Sequence, residues 1–427
     1  MDQSLVHSVS QHITRDAVKS TLMEMVNISS PTGYEGELAK YIVTRMRNAG
    51  LTAWLQDVTP GRPNAVGALR GDGTGKNLLF TGHMDVSYDG DEDYLVGDGY
   101  KPKAVYRDGW IWGLGASNMK SGLAASLVAI EAVAKARVPL HGDVMLGAVV
   151  GETEKAPVDE FEGARISGYG IGSRYLITHG ETVDYCVLTE PTRLRVCTAN
   201  MGVLWFKITI AGTVSHAAMS NDPSVVNAVE VMNELLPRIK TWAKDYEARQ
   251  EYFGEHPNVT IAAIRGGLPW RLARNPHECS LYIDIRTLPG ARGDDIKREL
   301  RAVLRTFASE KKIAEPTMFQ YVNDPPTTID YGHPLVSQIS AAHKAVHGKD
   351  SPYVIRRTGA DATHFNRYDI PCVCYGPGGI PHPEYSDHLM HATGEHSSVE
   401  NLFLAANVYS RLILNVCASP DGGLSPG

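Results

Sequence analysis

The chain has 427 residues, with 41 lysines and arginines against 48 aspartates and glutamates, a formal charge of −7. That length exceeds what one hydrophobic core serves and implies two or three domains of about 100–200 residues. The acidic balance excludes a general attraction to nucleic acid, and the apolar segments are too short and too interrupted to cross a bilayer.

Met1 to Val18 carries His7, His12 and Arg15 without an apolar core, so no secretory signal is read there and a soluble cytoplasmic protein is expected. Asp16 to Val26 sets Val18, Leu22, Met25 and Val26 at helical spacing, and Ser29-Ser30-Pro31-Thr32-Gly33 stops the pattern. Glu35 to Ala49 reads as a second helix, with Leu38, Tyr41, Ile42 and Met46 on one face and Gly50 at its end. Two strands with a turn at Gly71-Asp72-Gly73 lead into the run Asn77 to Val86, a buried strand that ends in His83-Met84-Asp85. Side chains two apart on a strand share a face, and the carboxyl edge of an α/β sheet is where such folds place their sites. An imidazole beside a carboxylate there reads as a metal ligand with the group that orients it. A surface His-x-Asp is the bland alternative.

Asp108 to Gly122 is a loop that opens an alanine-rich helix, Lys120 to Ala136, whose early glycine suits close packing on a sheet. Asp143 to Val150 is a buried strand ending in Gly151-Glu152-Thr153-Glu154-Lys155, a second acidic cluster at a strand end. Val183 to Thr192 makes a third strand, with Asp184 at its start and Glu190 after it. From Ala199 the texture changes: a strand Met201 to Ala211, a helix Asn221 to Glu247, strands Val259 to Arg265 and Glu278 to Arg286, a helix Asp294 to Ser309 and a strand Thr317 to Val322. That order, β-α-β-β-α-β, is a ferredoxin-like α+β unit. After Pro325-Pro326 the first domain resumes with a helix Pro334 to His347, a strand Pro371 to Tyr375 and a closing helix Ser397 to Asn415. A tail from Ser419, rich in Gly, Pro and Ser, is expected to be disordered. The expected fold is therefore α/β: a helix-covered mixed sheet formed by 1–198 and 325–427, interrupted by an α+β domain at 199–324. Cys186, Cys197, Cys279, Cys372, Cys374 and Cys417 lie scattered in apolar runs and read as reduced core residues, Cys372-x-Cys374 having the wrong spacing for a usual zinc pair.

Taken in order, these stretches resemble the metallohydrolase family of acetylornithine deacetylase, succinyl-diaminopimelate desuccinylase, aminoacylase and carboxypeptidase G, over nearly the whole chain. The resemblance implies hydrolysis of carbon–nitrogen bonds with one or two divalent metals, and an inserted domain that acts as a lid and dimerises, hence a homodimer. Zinc, manganese and cobalt all suit imidazole and carboxylate ligands. By the same resemblance His83 is a first metal ligand, Asp85 its orienting partner, Asp184 in Val183-Asp184-Tyr185 the aspartate ligand of that metal, and His391 in His391-Ala392-Thr393-Gly394-Glu395 a ligand of the other. Glu152 matches the general base. His216, in Gly212-Thr213-Val214-Ser215-His216-Ala217-Ala218, matches the histidine that reaches across the dimer to the substrate's carbonyl oxygen. Arg286 in Asp284-Ile285-Arg286, and Gly359 near Asp361, lie where members grip a substrate carboxylate.

Two positions depart from that pattern. Asn118 stands where two-metal members carry a bridging aspartate, and Thr153 where they carry a second glutamate ligand. Two dications about 3.5–4 Å apart repel by about 18 kcal/mol at an effective dielectric near 20, and a neutral amide does not offset that as a carboxylate does. One tight metal is expected, held by His83 and Asp184 with the Asn118 oxygen, and at most one weak second metal at His391, with Glu154 a candidate replacement ligand. Bland readings stay open: Glu154 as a solvated charge before Lys155, His216 as lid packing, His364, His382 and His388 as loop polar groups, and Trp110, Trp112 and Trp270 as packing. Three functions remain open as well. They are hydrolysis of a small N-acyl amino acid or related amide, release of ammonia from an amino-substituted acid such as a nitroanthranilate, and ligand binding by a catalytically dead relative. The retained Glu152 and His216 favour the enzymes.

Overall fold

The computed structural model describes residues 3–180, 182–384 and 394–420. The chain forms two units, Met1–Ala199 with Thr328–Val354 and Ala360–Gly427, and Asn200–Thr327 with Ile355–Gly359. The second unit starts one residue later and ends three residues later than the sequence reading sets it, and it takes in the short segment Ile355–Gly359.

The chain runs through helices α1 (Arg15–Asn27) and α2 (Gly36–Asn48), strands β1 (Thr52–Thr59), β2 (Arg62–Leu69) and β3 (Leu78–His83), helix α3 (Lys120–Lys135), strand β4 (Val144–Val149), helix α4 (Ile171–His179) and strands β5 (Tyr185–Leu188) and β6 (Val196–Asn200). The second unit follows with β7 (Gly202–Ala211), α5 (Ala228–Ala248), β8 (Asn258–Gly266), β9 (Glu278–Thr287), α6 (Gly293–Lys311) and β10 (Thr317–Asp324). Then β11 (Thr327–Thr328), α7 (Pro334–His347), α8 (Ala362–Arg367), β12 (Cys372–Cys374) and α9 (Val399–Val416) return to the first.

The first unit's sheet has the order β1-β2-β4-β3-β5-β12-β6-β11. β3 runs parallel to β4 and β5, and β12 parallel to β5. Strands covered on both faces need apolar residues in both directions, which is why Leu78-Leu79-Phe80 and Val144-Met145-Leu146 are unbroken hydrophobic runs and fully buried. Leu22 of α1, Leu127 of α3, Ile339 of α7 and Leu402 of α9 cover one face; Leu176 of α4 and Phe365 of α8 cover the other. Each such side chain contributes about 1.5–3 kcal/mol of burial. The start of α3 lies hard against the chain leaving β5: a Cβ on Gly122 would sit 1.9 Å from the Thr189 carbonyl oxygen. This contact fixes the approach to Glu190.

The second unit is an antiparallel sheet of order β8-β9-β7-β10. Leu235 and Ile239 of α5 and Leu300 and Leu304 of α6 pack on Phe206, Ile208 and Leu281. Helix α5 begins at Ala228 rather than at Asn221, because Asn227 caps it, its Oδ1 accepting from the N–H groups of Val229 and Glu230. Before it, Asp222 Oδ1 accepts from Ser224 N in a turn of its own. All six cysteines are free and buried. No helix among the described residues is long and apolar enough to cross a membrane. The tail beyond residue 420, together with His388 and His391, lies outside the described residues.

Candidate metal centre

Strands β3, β4 and β5 are parallel neighbours, and their carboxyl ends converge. β3 ends on His83; Glu152 lies three residues beyond β4 and Glu190 two beyond β5. His83 Nε2 stands 3.5 Å from Glu152 Oε2 and 3.5 Å from Glu190 Oε1, and the ligand atoms of these three residues all lie within 4.8 Å of one another. His83 and Glu190 are buried, and Glu152 is half-buried.

His83 Nδ1 lies 2.8 Å from the main-chain oxygen of Asp85. With the proton on Nδ1 for that bond, Nε2 turns its lone pair toward two carboxylates. Nε2 is buried and has no hydrogen-bond partner among the described residues, so the arrangement calls for positive charge between the three groups. The electrostatics agree in sign. Burial opposes the imidazolium, but Glu190, Asp85 and Asp361 outweigh it and raise the His83 pKa above its ordinary value. The loop before α3 comes close to the end of β3. Asn118 Oδ1 is buried without a partner among the described residues, and its neighbour Met119 accepts the His83 N–H on Sδ at 3.2 Å. An imidazole nitrogen and two carboxylates fit one borderline divalent cation.

Asp184 does not belong to this cluster. It precedes β5, whose Tyr185 is in register with Leu78 at the start of β3. Its carboxylate accepts from Lys76 Nζ at 2.7 Å and from the Asn77 N–H at 2.9 Å. At about 3.3 Å per residue, β3 holds that end roughly 17 Å from His83, too far for a shared ion. Glu190 is the carboxylate that faces His83, and the signal was present in the sequence. Parallel strands carry their site residues beyond their carboxyl ends, where Glu190 stands and Asp184 does not.

Asp85 also differs from expectation. Its carboxylate is 3.6 Å from His83 Nδ1, which instead meets the Asp85 carbonyl. The carboxylate accepts three hydrogen bonds: Oδ1 from Glu152 N at 3.1 Å, and Oδ2 from Thr153 N at 3.1 Å and Thr32 Oγ1 at 3.1 Å. Burial would raise its pKa, but the His83 charge and the bonds from Thr153 and Glu152 hold it below the usual range. Asp85 thus grips the loop that carries Glu152, and Thr32 is a contributor that no sequence signal marked. Glu154 stays outside the cluster of ligand atoms.

Asp361 is a buried carboxyl near the same site. Ser173 Oγ donates to its Oδ2 at 2.6 Å, and burial, with the charges of Glu190 and Asp85, pushes its pKa up to about 7 against the pull of Ser173 and His83. Gly359, two positions earlier, closes the segment Ile355–Gly359 of the second unit. In that unit His216 is exposed and caps a short turn, its Nδ1 accepting from Ala218 N at 3.1 Å. Arg286 pairs with Asp284 through Nε at 2.7 Å and Nη2 at 2.9 Å. It lines a cavity of about 930 Å³ within the second unit, together with Lys244, His256 and Arg357.

Comparison with known proteins agrees with this architecture. An N-formyl-4-amino-5-aminomethyl-2-methylpyrimidine deformylase from Bacillus subtilis is 24% identical over 424 residues, covering 93% of each chain. A succinyl-diaminopimelate desuccinylase from Cupriavidus taiwanensis is 25% identical over 354 residues, 81% of this chain and 83% of its own. Among solved structures, a tripeptidase from Staphylococcus aureus superposes with a TM-score of 0.72 at 20% identity, over 93% of this chain and 98% of its own. The family model for peptidase family M20/M25/M40 matches residues 79–415, so the chain belongs to that family and is a metal-dependent hydrolase of carbon–nitrogen bonds.

Proposed function

We propose that the protein hydrolyses an amide-type carbon–nitrogen bond in a small carboxylate-bearing molecule, using one divalent cation held by His83, Glu190 and Asn118 and Glu152 as general base. The observation that carries this reading is His83 Nε2 facing two carboxylate oxygens at 3.5 Å. A cation bound there supplies a water of lowered pKa and polarises the attacked carbonyl. Glu152 takes the proton of the attacking water and returns it to the leaving nitrogen. Asp85 keeps Glu152 at its station through the two main-chain N–H groups it accepts. His216 of a second copy serves the developing oxyanion, and Arg286 with the Gly359 segment receives the substrate carboxylate. The deformylase and desuccinylase relatives, by their names, support removal of an acyl group from nitrogen.

A homodimer through the second unit is part of this proposal. Val214, Met219, Trp270 and Leu272 are exposed around His216, where Ala217 N donates to Ala273 O at 2.9 Å and His216 bridges to Arg274. An apolar patch of this kind on a soluble chain suits a self-complementary interface. The free, buried cysteines support a cytoplasmic setting.

The neutral Asn118 and Thr153 favour a second reading, release of ammonia from an amino-substituted acid, aromatic acids included, because they change the charge around the metal. A screen of the metal-reconstituted enzyme against N-acyl amino acids and amino-substituted aromatic acids separates the two. Released carboxylate from the first class supports amide hydrolysis, ammonia from the second overturns it in favour of deamination, and no turnover of either class refutes both.

A further inference from the structure

We infer that Glu395 is a positioning residue for the metal centre, acting through Asn118. Glu395 Oε2 accepts from two successive main-chain N–H groups, Ser117 at 3.1 Å and Asn118 at 2.8 Å. Its own main chain is pinned on both sides: Glu395 N donates to Gly99 O at 3.0 Å, and Glu395 O accepts from Gly113 N at 3.1 Å. The adjoining strand, His396–Ser398, pairs with Trp110–Trp112 just before the loop. The carboxylate therefore reaches the loop from a rigid base. The rest of the loop is tied as well, Ser117 Oγ accepting from Gly379 N at 3.0 Å and Ser117 O from Ser121 Oγ at 3.2 Å.

This arrangement holds the Asn118 main chain while its side-chain Oδ1 stays buried and without a partner among the described residues. A neutral amide oxygen is a weaker ligand than a carboxylate, so its contribution depends on being held in place before the ion arrives. Two hydrogen bonds to an ionised acceptor at the start of α3 do this holding, assisted by the positive end of the helix. Asp85 grips the Glu152 loop in the same manner, one carboxylate accepting two successive N–H groups. Glu395 does the same for the Asn118 loop.

The inference rests on the reading of Asn118 as a metal donor, and a double-mutant cycle separates the two. Mn²⁺ affinity is measured by titration calorimetry on wild type, Glu395→Ala, Asn118→Ala, the double variant and Glu395→Gln, with urea denaturation to establish that each is folded. Outer-shell partners of this kind typically carry about 10–100-fold in metal affinity. Glu395→Ala is expected to weaken Mn²⁺ binding about 10-fold in the wild-type background and less than about 2-fold once Asn118 is alanine. Glu395→Gln, whose amide oxygen still accepts, is expected to stay within about 3-fold of wild type. Wild-type affinity in Glu395→Ala, or an equal loss in both backgrounds, overturns the inference, the latter reducing Glu395 to a support of the fold. Wild-type affinity in Asn118→Ala overturns the assignment of Asn118 itself. If Glu395→Ala does not fold, Glu395→Gln runs the same cycle with a coupling of about 2–3-fold, and no coupling refutes the inference.

Discussion

Replacing Glu190 by Gln removes one of the two carboxylates that face His83 while keeping the side chain's volume. At the roughly 2 Å typical of carboxylate ligands, a unit negative charge and a dication attract by about 17 kcal/mol at an effective dielectric of 20. Dehydration of both ions offsets most of this. Because Glu190 is fully buried, water cannot take over its charge, so a loss of at least about 10³-fold in metal affinity, about 4 kcal/mol, is expected. The matched control is Asp184→Asn. Asp184 is 31% exposed and its partner Lys76 42% exposed, so the screened pair contributes about 0.5 kcal/mol to stability, and metal affinity should stay within about 2-fold of wild type. Competition against a fluorescent chelator measures both. If Glu190→Gln binds metal as wild type does while Asp184→Asn fails to, the assignment of the ligand set is wrong.

Glu152→Gln should keep metal affinity within about 10-fold yet lower kcat by about 10²–10⁴; wild-type turnover would remove Glu152 from the base role. The Arg62–Glu35 pair is buried on both sides, with Arg62 also donating to the Ala164 and Ser167 carbonyls behind the Glu152 loop. Arg62→Ala leaves Glu35 buried and uncompensated, a loss of about 3–5 kcal/mol by urea denaturation. A loss under 1 kcal/mol would contradict that account. His343, buried on α7 and 2.8 Å from the Tyr375 hydroxyl, has its pKa lowered to about 4, first by burial and then by His347 and Lys349. Its folded pKa lies below the unfolded value, so its contribution is complete above about pH 6.5 and fades as pH falls toward 4. His343→Gln should flatten that acid slope by about 1–2 kcal/mol, and an unchanged difference between denaturation midpoints at pH 7 and pH 4.5 would count against it.

Much of the architecture was legible because its periodicities are strong. Leu78-Leu79-Phe80 and the α3 run carry the apolar pattern of doubly covered elements, and both elements lie where that pattern puts them. The start of α5 was misread because Val225 and Val226 extend the apolar pattern backwards, whereas the cap at Asn227 is decided by two local hydrogen bonds. At the centre, His83 and Glu152 stand out as polar residues at strand ends. Asp184 differs because the family resemblance carries a ligand over to it by motif alone, whereas the direction of β5 puts Asp184 at the strand's start and Glu190 beyond its carboxyl end, facing His83. Thr32 and Glu395 could not be found from pattern, since each acts across a sequence separation of 53 and 277 residues respectively and only the fold brings it to its loop.

The central claim is a single tight metal ion held by His83 and Glu190, with Asn118 as a further donor and Glu152 beside it as the base. Metal content after reconstitution with excess Mn²⁺ or Zn²⁺ and exhaustive dialysis tests it directly. One equivalent per chain, lost in His83→Ala and Glu190→Gln, is the result expected. Two tightly held equivalents, or one that survives both substitutions, would contradict it.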